Sequence, residues 1–510
     1  NYIVLDNLTL SDTKINTLER IFLGKERIEE QNGTPRDSTV VISQCNVQSE
    51  YCENEKCWKS LIELNIENTD PQATNREFST TFDLPAGCWI SDYYLKIGDK
   101  KEPGILSEKK SALWVYSNIR NYRKDPGILY YQTGNRVTLR VFPVNKNEIR
   151  QTGIEFIHRE PLTMQIDTNN ILLGDSLHGQ PATFENEYAA WITAHAKQNL
   201  KKIRRTPYFH FIIDVSEGSG ESVSFLDNEI EKLCSRYPQM ATNAMVSFTN
   251  AGTTTTTIMA DWKSQHKRKN FKGGFYVEGA IRKELFRKNS AVTLTYPVFI
   301  IASVKPEDAI IENDFSDLKM TFPDNDRFWY LGENGDLTAH SLLNNPETAL
   351  TDSAAFPGGN PVLEFRSKEG KTFYLPDDNK SSIVLKKKIL SVPSEEFYEK
   401  SWESALILQS MWISQCLHPE TSEEYWLEIV QNSFRTKILT PLTSYIVVEN
   451  EAQKAALKNK QAEVLSGNKS LDTDDNSQMM SEPGMIVMAL LLVAAIAFLR
   501  KDKCKKLLFK

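Results

Sequence analysis

The feature that most constrains this 510-residue chain is an apolar run close to its C-terminus. Residues 484–499 hold no charged side chain, and the stretch from Met485 to Leu499 would span about 22 Å as a helix. A hydrocarbon core is about 30 Å thick, so we predict a transmembrane helix that crosses with local thinning of the bilayer or with flanking residues drawn in. The rest of the chain is then tethered to a membrane.

The residues that follow the apolar run set its predicted orientation. Residues 500–510 contain six Lys or Arg side chains and one Asp. Lys and Arg next to a span stay on the cytoplasmic side, so we expect a basic cytoplasmic tail and a body in the periplasm or at the cell surface. The cations assigned to this topological stop are Arg500, Lys501, Lys503, Lys505 and Lys506.

The regions before the apolar run support the same topology. The chain starts with Asn1, and nothing before residue 480 is apolar over a length that would cross a membrane. Export requires a signal, so we expect one upstream of Asn1 in a longer precursor. Residues 466–483 are rich in Ser, Asn and Asp, which predicts a flexible stalk between the body and the span.

Four residues at the end of the stalk, Met480, Ser481, Glu482 and Pro483, add a motif to the tether. A short motif, one span and a basic cluster at the end of a chain resemble the sorting signals recognised by exosortase-type membrane proteases. The letters resemble the MSEP-CTERM class. The resemblance implies a protease partner that cuts near the motif and passes the body to the surface. The alternative is a plain anchor that is never cut.

Composition excludes some classes of function. Hydrophobic residues make up 40% of the chain and charged residues 25%, which is enough for two or three domains with their own cores. A net charge of -7 argues against a general nucleic-acid binder, which needs a basic face. The local run from His266 to Lys269 is too short to reverse this, and we interpret it as a solvated loop.

The cysteines are consistent with an exported chain. Four of the seven, Cys45, Cys52, Cys57 and Cys88, lie close together in the sequence and are disulfide candidates in an oxidising compartment. Four cysteines allow three pairings, and the sequence does not choose between them. Their spacings do not fit a zinc site, which needs closely spaced thiolates with a second pair or histidines nearby.

Residues 38–165 carry the pattern of a small antiparallel β-sandwich. Short β-branched or alternating runs are separated by turn formers, at 38–47, 58–66, 78–84, 89–97 and 137–142. A helix is predicted from Glu108 to Ile119, where apolar residues recur at spacings of three and four.

The segment from Leu84 to Asp99 makes this pattern more specific. It reads LPAGCWISDYYLKIGD, with a Leu-Pro turn, a strand and an Ile-Gly-Asp turn. The predicted helix follows with Lys109, Ala112 and Tyr116 on it, and Arg140-Val141-Phe142-Pro143 comes later. These residues resemble the vault protein inter-alpha-trypsin (VIT) domain. The resemblance implies that a von Willebrand factor A-type domain follows.

Residues 200–310 are consistent with that second domain. The run from Tyr208 to Ser216 predicts a buried strand that ends in Asp-x-Ser, and a helix from Phe225 to Tyr237 follows it. The strand-helix alternation continues to the predicted strand at Tyr296 to Val304, as in a doubly wound parallel sheet. Such sheets bind ligands at the carboxyl ends of their strands, where Asp214 is predicted to lie.

The resemblance to the A-type domain also implies a metal site, which is incomplete here. The site needs Asp-x-Ser-x-Ser, a Thr from a second loop and an Asp after a later strand, because Mg²⁺ prefers hard oxygen ligands. Asp214 and Ser216 match, but Gly218 stands at the third position and Ser219 comes one residue late. We therefore predict no bound metal and a degenerate A-type scaffold, with Asp214 and Ser216 as weak candidates.

Beyond residue 310 the pattern becomes less regular. Short aromatic strands between Gly and Asp turns predict a β-rich insertion or satellite at 315–390. Amphipathic helices predict a helical closing region at 395–465, with a strand at 438–449. Residues 1–37 are interpreted as a helical lead-in. The predicted fold class is a multidomain α+β protein that combines a sandwich-like VIT domain, an α/β doubly wound domain, the satellite, the helical region and one transmembrane helix.

We find no catalytic arrangement in the sequence. His210 lies inside a strand run whose side chains alternate between faces, so it does not form a triad with Asp214 and Ser216. We predict a non-enzymatic, exported, membrane-tethered protein without a cofactor, whose partners are the protease, membrane lipid and an unknown protein rather than nucleic acid. The alternatives are a permanently anchored adhesin with a metal-dependent A-type site and an unrecognised extracytoplasmic enzyme.

Overall fold

The computed structural model describes residues 39–466, apart from gaps at 71, 73, 122–125, 180, 252–253, 290–292, 333–334 and 352–358. The predicted lead-in, stalk motif, span and basic tail lie outside the described residues. Within the described part of the chain, no helix is both long enough and apolar enough to cross a membrane. The described residues form an α+β protein in which most sheets are antiparallel.

The first part of the body is built from nine strands and one helix. They are β1 (Val40–Cys52), β2 (Cys57–Asn68), β3 (Arg76–Asp83), β4 (Cys88–Ile97), β5 (Lys100–Pro103), β6 (Ile105–Glu108), α1 (Lys109–Asn121), β7 (Gly127–Tyr131), β8 (Arg136–Val144) and β9 (Ile149–His158). Every second side chain of β2 is buried from Trp58 to Asn68, because successive side chains of a strand point to opposite faces.

These strands form two sheets that face each other. One sheet has the antiparallel order β1-β2-β9-β4-β5, and the other contains β3, β8, β7 and β6. Ile62 and Phe156 of the first sheet pack with Phe82 and Leu139 of the second, and each is at most 3% exposed. The predicted sandwich is therefore a two-layer structure with a continuous apolar core.

Short strands connect the sandwich to the next sheet. They are β10 (Leu162–Ile166), β11 (Asn169–Leu173), β12 (Phe184–Glu185), β13 (Ala189–Ile192) and β14 (Lys201–Ile203), with the single-turn helix α2 (Ala194–Lys197) between the last two. β10 and β11 form a hairpin whose buried residues, among them Ile166 and Leu173, extend the core of the sandwich.

A six-stranded mixed sheet forms the centre of the second part. Its elements are β15 (Thr206–Asp214), α3 (Val223–Arg236), α4 (Pro238–Ala241), β16 (Met245–Thr249), β17 (Thr254–Ile258), α5 (Trp262–His266), α6 (Val277–Asn289), β18 (Thr295–Ala302), β19 (Arg327–Leu331) and β20 (Leu337–Ser341). The order is β17-β16-β15-β18-β19-β20, with the four central strands parallel and the two edge strands antiparallel.

Helices cover both faces of this sheet. Ile230 of α3 packs against Phe211 on one face, and Ile281 of α6 packs against Ile212 on the other. From β15 the chain adds β16 on one side, and later adds β18 on the opposite side of β15. The strand order therefore changes direction between β15 and β18, which is the place where open α/β sheets form a crevice.

The predicted satellite at 315–390 is distributed over three sheets. β19 and β20 extend the central sheet, β21 (Val362–Arg366) pairs with β14 and with β22 (Thr372–Pro376), and β23 (Ser382–Leu385) pairs with β13. Among the described residues after 310, the strands therefore do not form a separate β-rich unit. β19, β21 and β23 each pair with an earlier strand, and such long-range strand pairing leaves no local pattern in the sequence.

The closing region returns to the sandwich. It consists of α7 (Trp402–Leu417), α8 (Ser422–Thr436), β24 (Thr443–Val447) and α9 (Glu451–Leu465). β24 lies between β7 and β6, antiparallel to both, and completes the second sheet in the order β3-β8-β7-β24-β6. The Tyr445 hydroxyl donates a hydrogen bond to the Ser91 carbonyl at 2.9 Å, across 354 residues of sequence.

A cluster of tryptophans joins α7 to the sandwich. Trp402 is fully buried, and its ring centroid lies 5.4 Å from that of Trp89 and 4.9 Å from that of Trp191. Its indole N–H donates to the Gly87 carbonyl at 2.9 Å. The Arg159 guanidinium lies 3.9 Å from the Trp402 ring. The helical region and the sandwich therefore share one core.

Candidate functional site

The candidate site lies at the carboxyl edge of the parallel strands. β15 ends at Asp214, β16 ends at Thr249, and Ser303 directly follows β18. Neighbouring parallel strands end at the same edge of a sheet, so these three residues meet where the strand order changes direction. All three are buried, with exposures of 3%, 0% and 4%.

The carboxylate of Asp214 is held by its own chain. One oxygen accepts a hydrogen bond from the backbone N–H of Ser216 at 2.8 Å, and the other accepts from the Ser303 hydroxyl at 2.7 Å. The Ser303 oxygen in turn accepts from the backbone N–H of Lys305 at 3.1 Å. The predicted strand at Tyr296 to Val304 includes Ser303, which is not among the predicted site residues. The signal in the sequence that could have identified Ser303 is a hydroxyl residue at the end of a buried strand in the same sheet as β15.

The loop after Asp214 turns its hydroxyl groups in another direction. Gly218 has a φ of 85°, in the left-handed region that glycine adopts easily. Ser219, one residue beyond the expected position, donates to the Ser216 carbonyl at 2.9 Å. The Thr249 hydroxyl oxygen is buried and has no hydrogen-bond partner. The structure brings Asp214 and Ser216 together, but Ser219 does not turn towards the carboxylate.

These residues do not fit a divalent metal ion. Magnesium and calcium need several free oxygen ligands in a defined geometry. Here the one carboxylate already accepts two hydrogen bonds, and the Ser303 hydroxyl donates to it. Among the described residues there is no group of three or more His, Cys, Asp or Glu side chains that could hold a metal.

His210 belongs to a different polar cluster. Its Nε2 lies 2.8 Å from the Ser247 hydroxyl, and its Nδ1 lies 3.4 Å from a carboxylate oxygen of Glu284. The Tyr208 hydroxyl donates to Glu284 at 3.0 Å, and the Arg287 Nε donates to it at 2.7 Å. The sequence predicts no catalytic triad of His210 with Asp214 and Ser216. The structure places it with Ser247 and Glu284 instead.

The order Ser247–His210–Glu284 is that of a hydrolytic triad, but its position does not suit catalysis. The three residues are 2%, 0% and 3% exposed and lie between the sheet and α6, where a substrate has no access to Ser247. Burial raises the pKa of Glu284, but hydrogen bonds and charge from His210 and Arg287 outweigh it and bring the pKa to about 2. Glu284 is therefore a buried, ionised residue that holds His210 and Arg287 in position.

The basic run at His266 also differs from the expectation. His266 is fully buried in α5, and its Nδ1 lies 2.8 Å from the carboxylate of Asp227 on α3. Trp262, one turn earlier, is buried as well. The interpretation of the whole run as a solvated loop is wrong at His266, because α5 directs this side chain towards α3 and the sheet.

Neither of two depressions on the described surface is a deep pocket of the kind that small-molecule sites use. A crevice at the turn from Leu84 to Trp89 has an empty volume of about 190 Å³, and such sites usually occupy about 300–1,000 Å³. A larger depression on α3, lined by Phe225 and Lys232, is broadly open to solvent.

The structure separates the candidate cysteines, except for one pair. Cys52 and Cys57 lie directly opposite each other on β1 and β2. Cys45 lies opposite Leu64, and Cys88 lies opposite His158. All four are present as free thiols.

Comparison with known families supports one part of the chain. Residues 54–156 match the model of the vault protein inter-alpha-trypsin domain, which confirms the resemblance inferred from the segment Leu84 to Asp99. The match runs from the β1–β2 turn into β9 and leaves out β1 and β24, although both belong to the same sandwich. No curated protein matches the chain.

Proposed function

We propose that this chain is an exported, membrane-tethered surface protein whose body binds other proteins and carries out no catalysis. The VIT domain at residues 54–156 carries the proposal, because a domain of this kind suggests protein interaction. Nucleic-acid binding needs a basic surface, and the net charge of the chain is -7, which favours a protein partner over nucleic acid.

We further propose that the central sheet is a degenerate von Willebrand factor A-like domain. The order of its parallel strands, the helices on both faces and the Asp-x-Ser at the end of β15 support this assignment. The carboxylate of Asp214 already accepts hydrogen bonds from Ser216 and Ser303. The edge of the sheet would therefore contact a partner through its surface loops and not through a shared metal.

The proposed tether and its processing depend on the sequence beyond the described residues. The apolar run at 484–499 and the basic tail support a single span, and Met480 to Pro483 support recognition by an exosortase-type protease. Cleavage there would release the body from the membrane for transfer to the cell surface.

The experiment that tests sorting is the mass of the C-terminal peptide from native cells, with and without the protease. Loss of everything beyond the Met480 to Pro483 region only when the protease is present supports the proposal. An intact end at Lys510 in both strains removes the sorting step and leaves a permanently anchored adhesin.

A second experiment tests display and binding together. A photo-crosslinking residue is placed at Gln48, exposed on the edge strand β1, or at Glu217, exposed on the loop after Asp214. The proposal predicts that externally added protease degrades the body on intact cells once the outer barrier is permeable, and that irradiation gives a discrete protein adduct. A body protected until the cytoplasmic membrane is broken would contradict the proposed location, and no adduct at either position would contradict binding by these surfaces.

A further inference from the structure

We propose that Cys52 and Cys57 form a disulfide that closes the β1–β2 hairpin. The inference rests on the extracytoplasmic location proposed above, because disulfides persist in oxidising compartments. It selects one connectivity among those that the sequence leaves open.

The register of the hairpin brings the two residues together. Cys52 and Cys57 are the last antiparallel partners before the four-residue turn Glu53-Asn54-Glu55-Lys56. Residues directly opposite in an antiparallel pair have Cα atoms about 4.5 or 5.5 Å apart, depending on the hydrogen-bond pattern. Both separations fall within the range of about 4.4–6.8 Å that a disulfide spans.

The two side chains also occupy the same face. Cys57 is fully buried in an apolar cluster with Trp89, Ile157 and Trp402, and Cys52 packs against that same cluster while remaining partly exposed. Opposite residues of an antiparallel pair direct their side chains to one side of the sheet. A bond between the two sulfur atoms therefore needs no change in the strand register.

The other cysteines of the sandwich are too far away. Cys45 lies seven residues before Cys52 on the same strand, roughly 24 Å along it at about 3.4 Å per residue. Cys88 is on β4, and β9 lies between β4 and β2, so two strand spacings of about 4.8 Å separate Cys88 from the strand of Cys57. Neither arrangement allows a bond without a large movement.

The chemistry is a thiol–disulfide exchange with an extracytoplasmic disulfide donor. The partly exposed Cys52 thiolate attacks one donor sulfur, forming a mixed disulfide and releasing one donor thiolate. The Cys57 thiolate then attacks the Cys52 sulfur and releases the second donor thiolate, so that two protein thiols are oxidised and one donor disulfide is reduced. The two protons pass to the released thiolates.

Cys57 makes the second step slow without a catalyst. Burial, followed by the nearby Glu55 and Cys52, raises the pKa of Cys57 to about 12. The thiol donates to the Glu55 carboxylate at a Sγ–Oε2 distance of 3.9 Å. A thiol held in its protonated form attacks slowly, and the same burial protects the finished bond from reductants.

The bond would brace a junction of the body. Arg159 donates from its Nη2 to the Glu55 carbonyl in the hairpin turn at 3.2 Å and lies over the Trp402 ring. It also pairs with Glu403 of α7 at 2.9 Å. Fixing the turn fixes the position of this arginine between the sandwich and α7.

The test is a peptide map of the full chain under non-reducing conditions after free thiols have been alkylated. Trypsin cleaves after Lys56, between the two cysteines, so the disulfide would link the Cys57–Lys59 peptide to the peptide that ends at Lys56. That second peptide holds both Cys45 and Cys52, so fragmentation of the linked pair in the mass spectrometer must locate the bond at Cys52. We expect this link in protein from native cells and in reduced, detergent-purified protein treated with oxidised glutathione. Reduction should separate the two peptides.

Two variants and two arms of the experiment separate the possible failures. Cys57→Ser should abolish the link, whereas the matched control Cys88→Ser should retain it. Failure of the purified protein to form the link, or a link from Cys57 to Cys45 or Cys88, would overturn the geometry. A link that forms with glutathione but is missing in native cells would overturn the disulfide in the cell by contradicting the extracytoplasmic location.

Discussion

The sandwich and the central sheet are assembled in different ways. The central sheet takes all six strands from one continuous stretch, Thr206 to Ser341. The second sheet of the sandwich instead takes β24 from the far end of the body and inserts it between two strands that are close in sequence. A region that matches a family model can therefore depend on a strand that the match does not include.

The two regions also differ in what they bury. The face of the central sheet that packs on α6 encloses an ionised carboxylate, Glu284, with Arg287 and His210 around it. The sandwich buries His158, whose Nδ1–H donates to the Glu160 carbonyl at 2.7 Å and whose Nε2 lies 2.8 Å from the Ser60 hydroxyl. Burial lowers the pKa of His158 to about 4, so the imidazole is neutral at neutral pH. The two sites should respond to acid in different pH ranges.

The largest expected effect is the loss of β24. A chain that ends at Thr436 lacks Tyr445, Ile446 and Val447, each at most 2% exposed, and burial of such side chains is worth about 1.5–3 kcal/mol each. The sum approaches the total stability of a domain, about 5–15 kcal/mol, so the sandwich should not fold. Near-ultraviolet circular dichroism and urea unfolding measure this.

A chain that ends at Asp472 is the matched control for that truncation. It keeps the whole compact unit that ends at this residue, so its unfolding should resemble that of the full chain. Cooperative unfolding of the sandwich in the chain that ends at Thr436 would show that β24 is dispensable, and the contrast between the two regions would then be lost.

Trp402→Ala should have the next largest effect. The side chain is fully buried against Trp89 and Trp191, and truncation of a buried tryptophan costs about 3–5 kcal/mol. Trp412→Ala on the same helix is the control, because Trp412 is only partly buried and should cost less. Urea unfolding of both variants provides the comparison. Equal losses would mean that the tryptophan cluster does not join α7 to the sandwich.

His158 should make the sandwich sensitive to mild acid. Burial lowers the pKa of His158 to about 4 from an ordinary value of 6.5. The unfolded chain binds the proton first, so stability falls as the pH drops from 6.5 towards 4, by about 3 kcal/mol in total. His158→Gln should flatten this part of the pH profile of urea unfolding. An unchanged profile in the variant would exclude His158 as the cause.

Glu284 should make the stability of the central sheet depend on pH in a more acidic range than His158 does for the sandwich. Its folded pKa is about 2 against an ordinary value of 4.5, so the stability it contributes is present above about 4.5 and is lost as the pH falls towards 2. The shift corresponds to about 3 kcal/mol. Glu284→Gln should lower stability at neutral pH and remove the decline below pH 4.5, as measured by urea unfolding. A decline that persists in the variant would assign it to other carboxylates.

The smallest expected effect is that of magnesium. If the occupied carboxylate of Asp214 binds Mg²⁺ with a Kd above about 1 mM, addition of 1 mM ion should stabilise the chain by less than about 0.4 kcal/mol. Thermal unfolding with magnesium or with chelator measures this, and Asp214→Ala is the control. Clear stabilisation that disappears in the variant would support the metal-dependent alternative.

Local sequence patterns predicted many individual elements. The predicted runs at 58–66, 89–97 and 208–216 lie at β2, β4 and β15, and the predicted helix at 108–119 lies at α1. These segments carry their own signal, because alternation and helical spacing are properties of neighbouring residues. The same signal supported the VIT resemblance that the family match confirms.

The candidate site was less predictable. Asp214 and Ser216 follow each other in one loop and could be selected from the sequence. Ser303 donates to Asp214 from 89 residues away, and Ser247 contacts His210 from 37 residues away. Those contacts depend on which strands become neighbours in the sheet, and strand order has no local signature.

The sequence alone determined the β-rich start of the body, the VIT resemblance, the strand that ends at Asp214 and the apolar run with its basic tail, since each depends on residues adjacent in the chain. Only the tertiary structure decided that β24 completes the sandwich, that Glu284 braces His210 and that Cys52 faces Cys57. The physical reason is that these contacts join segments through strand pairing and helix packing, whose free energy depends on the whole folded arrangement.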